Sequence, residues 1–109
     1  MEETITLKKV SIGLDSNAGT ITYGNEKYCH AKAKNEIDWE SDGPFGIQFL
    51  TTSPFAESCF QSTPVPNGKH VVKRQLPDNP PTGTHSYACA LYFGGKVYVD
   101  ANCPAIIID

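Results

Sequence analysis

The apolar positions of this chain recur with period two over short runs, the spacing that sends alternate side chains to opposite faces of a β-strand. Over residues 4–12 the alternation passes through Ile5 and Leu7, then changes phase to Val10 and Ile12, which predicts a bulge near Lys8-Lys9. Residues 20–23 form a short run. Residues 27–33 set Cys29, Ala31 and Ala33 against Tyr28, His30 and Lys32. Ile37 and Trp39 share one face of a strand whose other face carries Glu36, Asp38 and Glu40. Phe45, Ile47 and Phe49 make a clean apolar face, and further strands are predicted over 70–75, 85–92, 97–100 and 105–108. Turn signals separate the runs: Asp15-Ser16-Asn17-Ala18-Gly19, Gly24-Asn25, Asp42-Gly43-Pro44 and Gly94-Gly95. With about eight short strands and no long helical period, the chain is expected to be all-β, a sandwich or a small barrel.

Two regions need separate treatment. The hairpin after Cys89 admits two registers. A two-residue Gly94-Gly95 turn pairs Cys89 with Asp100, whereas a three-residue Phe93-Gly94-Gly95 loop pairs Leu91 with Val97 and Cys89 with Val99. The second gathers Tyr87, Cys89, Leu91, Val97 and Val99 on one face, and register follows the buried face, so it is the expected one. Segment 51–68 is weakly patterned. Ser53-Pro54 predicts one short helical turn there, with Phe55 and Cys59 on its inner side. Pro64, Pro66, Pro77, Pro80 and Pro81 limit ladders on either side of 70–75. Trp39, followed by Phe45, Ile47 and Phe49, is expected at the centre of the core.

The strand Gly83-Thr84-His85-Ser86-Tyr87-Ala88-Cys89 puts Gly83, His85, Tyr87 and Cys89 on one face. It resembles the strand that leads to the copper-binding cysteine of cupredoxins, the plastocyanin and azurin family. Trp39-Glu40-Ser41-Asp42-Gly43-Pro44-Phe45-Gly46-Ile47-Gln48-Phe49 likewise resembles the segment carrying that family's first histidine ligand after a proline. The resemblance covers roughly residues 5–99 and implies a cupredoxin-like Greek-key β-sandwich. It also implies a lost copper site. Phe45 stands where histidine would, and Tyr92 falls in the stretch after Cys89 where a histidine and usually a methionine would follow. The chain turns at Gly94-Gly95 instead, and its lone methionine is Met1. A blue-copper centre needs two imidazoles, a thiolate and a weak axial ligand. No metal and no cofactor is therefore expected at the degenerate positions Phe45, Cys89 and Tyr92. His85 cannot replace the missing ligand, because four strand residues separate it from Cys89 by about 13 Å against coordination bonds near 2 Å.

Composition narrows the function classes. At 109 residues the chain is sized for a single domain spanning 1–109. Its 39% apolar and 19% charged content argues against disorder, and no run approaches the length of a membrane span. The net charge of −3 and the two tight basic pairs, Lys32 with Lys34 and Lys73 with Arg74, give no nucleic-acid footprint. The start, Met1-Glu2-Glu3-Thr4, lacks the basic and apolar regions of a signal peptide. As written it reads as intracellular, with a periplasmic setting open if a leader has been removed. In a reducing compartment the four cysteines, at 29, 59, 89 and 103, are expected as free thiols.

Other candidate chemistry is sparse. Cys29-His30 has the look of a nucleophile beside its base, but strand neighbours point to opposite faces. Cys59 is the candidate for a reactive thiol, with an inner-face loop position as the simpler reading. The row Glu36, Asp38, Glu40 and Asp42 could hold a hard cation and is read more simply as a solvated face. No nucleophile elbow or phosphate-cradling loop motivates an enzyme. Ile106, Ile107 and Ile108 must be covered, either by docking on the chain's own sheet, the preferred reading, or by a partner strand. The expectation is a small non-enzymatic domain that binds a protein partner or another copy of itself, with no nucleic acid and no membrane. The alternative is a metal-binding or thiol-redox protein using Cys89 or other cysteines and histidines.

Overall fold

The computed structural model describes residues 6–100 and 104–109; Met1, Thr4, Ile5 and Cys103 lie outside the described residues. The described chain is all-β. Its strands are β1 (Leu7–Asp15), β2 (Thr20–Thr22), β3 (Tyr28–Ala31), β4 (Glu36–Ser41), β5 (Phe45–Phe49), β6 (Cys59–Gln61), β7 (Thr63–Pro64), β8 (His70–Gln75), β9 (Gly83–Phe93), β10 (Lys96–Asp100) and β11 (Ala105–Ile108). The strands not expected from the pattern are β6 and β7, which lie in the weakly patterned segment 51–68 and at two or three residues are too short to show a period. One sheet runs β2-β1-β4-β8-β7 and the other β3-β11-β9-β5-β6, with β10 pairing on β9. Both sheets are mixed: β1 lies parallel to β4, and β11 parallel to β3.

Alternation decides which face of each strand turns inwards. Val10 and Ile12, Ile37 and Trp39, and Val72 come from the first sheet. They meet Phe45, Ile47, Phe49, Phe60, Tyr87, Cys89, Leu91, Ile106 and Ile108 from the second. Trp39 is fully buried at the centre of a ring cluster with Phe49, Phe55, Phe60 and Tyr87, whose paired centroids lie 5.4–6.3 Å apart. Four of these pairs meet edge-on, an arrangement whose attraction adds to the area that such rings bury. The indole Nε1–H also donates to the Tyr87 hydroxyl at 3.2 Å, which satisfies the one polar atom of a buried tryptophan.

Three local expectations are corrected. There is no bulge at Lys8-Lys9: β1 pairs with β4 in unbroken register from Leu7 to Ile12, and Leu7 simply faces solvent. The described residues contain no helical turn. Ser53 Oγ accepts from the Phe55 amide at 3.1 Å and donates to the Glu57 carbonyl at 2.6 Å, so the side chain closes a bend where a helical ladder would begin. The third correction matters most. The β9–β10 hairpin pairs Phe93 with Lys96, Leu91 with Tyr98 and Cys89 with Asp100, the register of a two-residue turn. Gly94 and Gly95 have φ of 60° and 80°, the paired positive values of the turn whose twist matches the strands it joins. Local turn geometry thus overrides the hydrophobic count, and Val97 and Val99 face outwards.

Candidate functional site

Strand β9 carries Tyr87, Cys89 and Leu91 into the core and Ala88, Ala90 and Tyr92 out of it. Cys89 is buried opposite Ile47, and Phe45 is buried opposite Leu91. Tyr92 lies on the other side of the sheet, with its amide bonded to the Pro44 carbonyl at 2.8 Å. The three positions marked by the resemblance therefore do not converge on one point. His85 is buried and held at both nitrogens: Nε2 donates to the Pro81 carbonyl at 2.8 Å, and Nδ1 is 2.9 Å from the Thr52 hydroxyl. His30 is exposed, with Nδ1 3.3 Å from an Asp109 oxygen, and His70 lies on β8 in the other sheet. Among the described residues no three His, Cys, Asp or Glu side chains are grouped to hold an ion.

The thiols separate by exposure. Cys29, Cys59 and Cys89 are free, and burial pushes the first and last up to about 12. Both stay protonated at neutral pH, the form without nucleophilic character. Cys59 is exposed on β6, not on the inner side of a loop, because Phe60 takes the inward position there. Of the acidic row, Glu36, Asp38 and Glu40 on β4 are half-buried, and Asp42, just past the strand, is exposed. Lys9 pairs with Glu40 at 3.3 Å, and Asp42 bonds Lys69 at 2.5 Å. Asp38 is pushed up to about 6, first by desolvation and then by Glu36, with Lys73 and Lys9 opposing, and its Oδ1 has no hydrogen-bond partner.

Register also creates a buried polar contact. Asp100, placed opposite Cys89 on the inner face, is 8% exposed, and Tyr23 donates its hydroxyl to Asp100 Oδ2 at 2.5 Å. Burial and this bond hold the Tyr23 phenol protonated well above the usual tyrosine range. The contact ties the 23–25 turn of the first sheet to β10 of the second.

The surface that sequence reasoning missed is the outer face of β10, β9, β5 and β6. Its rows follow from the pairings: Val97 beside Tyr92; Val99, Ala90, Gly46 and Gln61 in line; Ala88, Gln48 and Cys59 in line. None of these side chains is charged. Val97 is 65%, Val99 70% and Tyr92 51% exposed. Gly46, Ala88 and Ala90 have almost no side chain, so the middle of the face sinks between its rims. Two adjoining hollows of about 370 and 210 Å³ share Gly46, Cys59 and Ala90. The signal for this face was the Gly94-Gly95 pair.

Ile106 and Ile108 lie in the core, Ile107 is half-buried on the outer side, and both edges of β11 are hydrogen-bonded, to β3 and to β9. No helix among the described residues is long and apolar enough to cross a membrane. No family model matches the chain, and no curated protein matches it.

Proposed function

We propose that this chain is a cupredoxin-like Greek-key domain without type 1 copper, acting as a non-enzymatic binding module for protein. One observation carries the reading: an uncharged, concave outer sheet face whose rim valines Val97 and Val99 are 65% and 70% exposed. Singly exposed apolar residues are ordinary. Here Val97, Val99 and Tyr92 lie side by side on β10 and β9, next to the small side chains of Ala88, Ala90 and Gly46, the kind of grouping that marks an interaction surface. The sandwich part of the reading is supported by two sheets between which the chain alternates. The loss of copper is supported by the separation of Phe45, Cys89 and Tyr92 over two faces of one sheet. Free thiols at Cys29, Cys59 and Cys89 suit a reducing, intracellular setting.

The test is affinity capture from the native host with wild-type and Ala90→Arg protein as paired baits. Ala90 is exposed, so arginine fits the fold while filling the hollow with charge. A captured protein lost from the variant is the expected result. Capture unchanged by the substitution refutes the assignment of the face. A stoichiometric copper or zinc content in purified protein, abolished by Cys89→Ser, returns the function to metal chemistry.

A further inference from the structure

Strands β1 and β4 run parallel and stay paired as far as Ile12 with Ser41, and there they part. β1 goes on to pair with β2 from Gly13 to Asp15, while the chain leaves β4 through Asp42-Gly43-Pro44 for β5 of the other sheet. Parallel neighbours whose continuations leave in different directions open a crevice at their carboxyl ends. Two hollows lie at this crevice and share Ile12, Gly13, Ser41 and Asp42. The apolar one, about 130 Å³, reaches between the sheets to Leu14, Leu91 and Phe93. The polar one, about 300 Å³, adds Ser11, Thr22, Glu40 and Lys69. Neither shares a residue with the hollows on the face of β5, β6, β9 and β10.

Ser41, which lines both hollows, points to a ligand. It stands on the inward face of β4 and is 4% exposed. Among the described residues its hydroxyl accepts from the Gly43 amide at 3.5 Å and donates to none. A buried donor without an acceptor is unfavourable until something supplies one. The carboxylates beside it are already neutralised: Lys9 lies 3.3 Å from Glu40, and Lys69 bonds Asp42. An anionic head would meet both carboxylates, and a cationic one would have to displace a lysine. The matching head is neutral and both accepts and donates hydrogen bonds. The apolar hollow of about 130 Å³ is slightly smaller than the roughly 150 Å³ cavity that takes a benzene ring, which limits a tail to about five carbons. We propose that this crevice binds a small neutral amphipathic molecule, of the amide or alcohol class. Its head accepts the hydrogen bond from Ser41, and its short hydrocarbon tail lies against Leu14, Leu91 and Phe93. The site is separate from the protein-binding face and does not depend on it.

Hexanamide, hexanoate and hexylamine carry the same tail on a neutral, an anionic and a cationic head. Each is titrated to about 20 mM into isotope-labelled protein near neutral pH and followed by amide NMR shifts, a range suited to the millimolar affinity of about eight non-hydrogen atoms. The expected result is saturable shifts from hexanamide at Gly13, Ser41, Asp42 and Leu91, with both charged analogues about tenfold weaker. Ser41→Ala should weaken hexanamide binding about threefold or more by removing the donor. Phe93→Ala, at a position 43% exposed where the fold tolerates change, should do the same by removing a wall of the tail hollow. The comparison of heads uses wild-type protein alone and decides the matter even where a variant folds poorly. Ala90→Arg should leave hexanamide affinity unchanged, so failure here and failure of the protein-binding face are read separately. No saturable shift from any of the three compounds overturns the proposal, and so do shifts centred on Gly46 and Ala88. Equal binding of either charged analogue overturns it too, as does an affinity indifferent to both Ser41→Ala and Phe93→Ala.

Discussion

Replacing Tyr23 by phenylalanine removes one oxygen and probes the register of the whole hairpin. Tyr23 is 3% exposed, and its hydroxyl reaches Asp100 Oδ2 at 2.5 Å. The two-residue turn puts Asp100 inside, and a carboxylate there needs donors. Losing a hydrogen bond to a charged group costs about 1.5–3 kcal/mol, and the low-dielectric surroundings favour the upper part of that range. Against a total of roughly 5–15 kcal/mol this is large, and it corresponds to a Tm lower by roughly 6–18 °C. Urea unfolding followed by the fluorescence of Trp39, the sole tryptophan, reads the change directly. Tyr23→Phe combined with Asp100→Val should cost less than the sum of the two single changes, since the pair is then removed together. The pH dependence has a definite sign. Burial, then the Asp100 bond, raises the native pKa of Tyr23 above its ordinary 10.0. Its contribution is therefore intact up to about pH 10 and lost above it, as the unfolded phenol ionises first. Tyr23→Phe should flatten this alkaline fall. A Tyr23→Phe midpoint within about 0.5 kcal/mol of wild type would refute the reasoning, because such a small effect is typical of surface substitutions.

The remaining predictions use the same unfolding assay. Trp39→Ala should cost about 3–5 kcal/mol through the cavity left among Phe49, Phe55, Phe60 and Tyr87; a near wild-type midpoint would contradict its central position. Gly43→Ala should cost about 1–3 kcal/mol, since the new Cβ would collide with the Tyr92 backbone carbonyl oxygen, and an unchanged midpoint would show that the turn yields freely. Asp38 has its pKa raised from 3.8 to about 6, so its protonated form favours the fold, and stability from it is lost as pH rises from about 4 to about 6. Asp38→Asn should therefore stabilise at pH 7, by less than about 1 kcal/mol at a half-buried site where solvent screens the charge, and make no difference at pH 3; equal effects at both pH values would exclude the linkage. Cys29 and Cys89, raised from 9.0 to about 12, should make the fold progressively less stable above pH 9, seen as falling midpoints between pH 9 and pH 11.

Where one face of a strand is wholly apolar and the other wholly polar, the alternation was legible: Ile37 and Trp39 against Glu36, Asp38 and Glu40, or Phe45, Ile47 and Phe49. It misled where a polar residue is buried with a partner from distant sequence. Asp100 looked like the outward end of its strand because nothing nearby announces Tyr23, which is brought to it only by the packing of the two sheets. Counting apolar residues then turned Val97 and Val99 inwards. The glycine pair carried the opposite information, since two successive residues at positive φ favour the short turn whatever the side chains prefer.

Binding surface and buried pair are thus one choice of register seen from two sides. A one-residue shift of β10 against β9 would send Val97 and Val99 into the core and Asp100 into water, exchanging a ridge for a polar edge. Hydrophobic burial alone favours that shifted state. It is opposed by the turn at Gly94-Gly95 and by the bond from Tyr23 to Asp100, and neither needs exposed valines for its own stability. Lengthening the turn by one glycine after Gly95 separates these terms. If the turn governs, the insertion should let β10 slip, bury the valines and release Asp100 from Tyr23, so that Tyr23→Phe no longer costs stability in that background. If the insertion leaves the Tyr23→Phe penalty unchanged, the buried pair alone holds the register, and the extra glycine merely loops out.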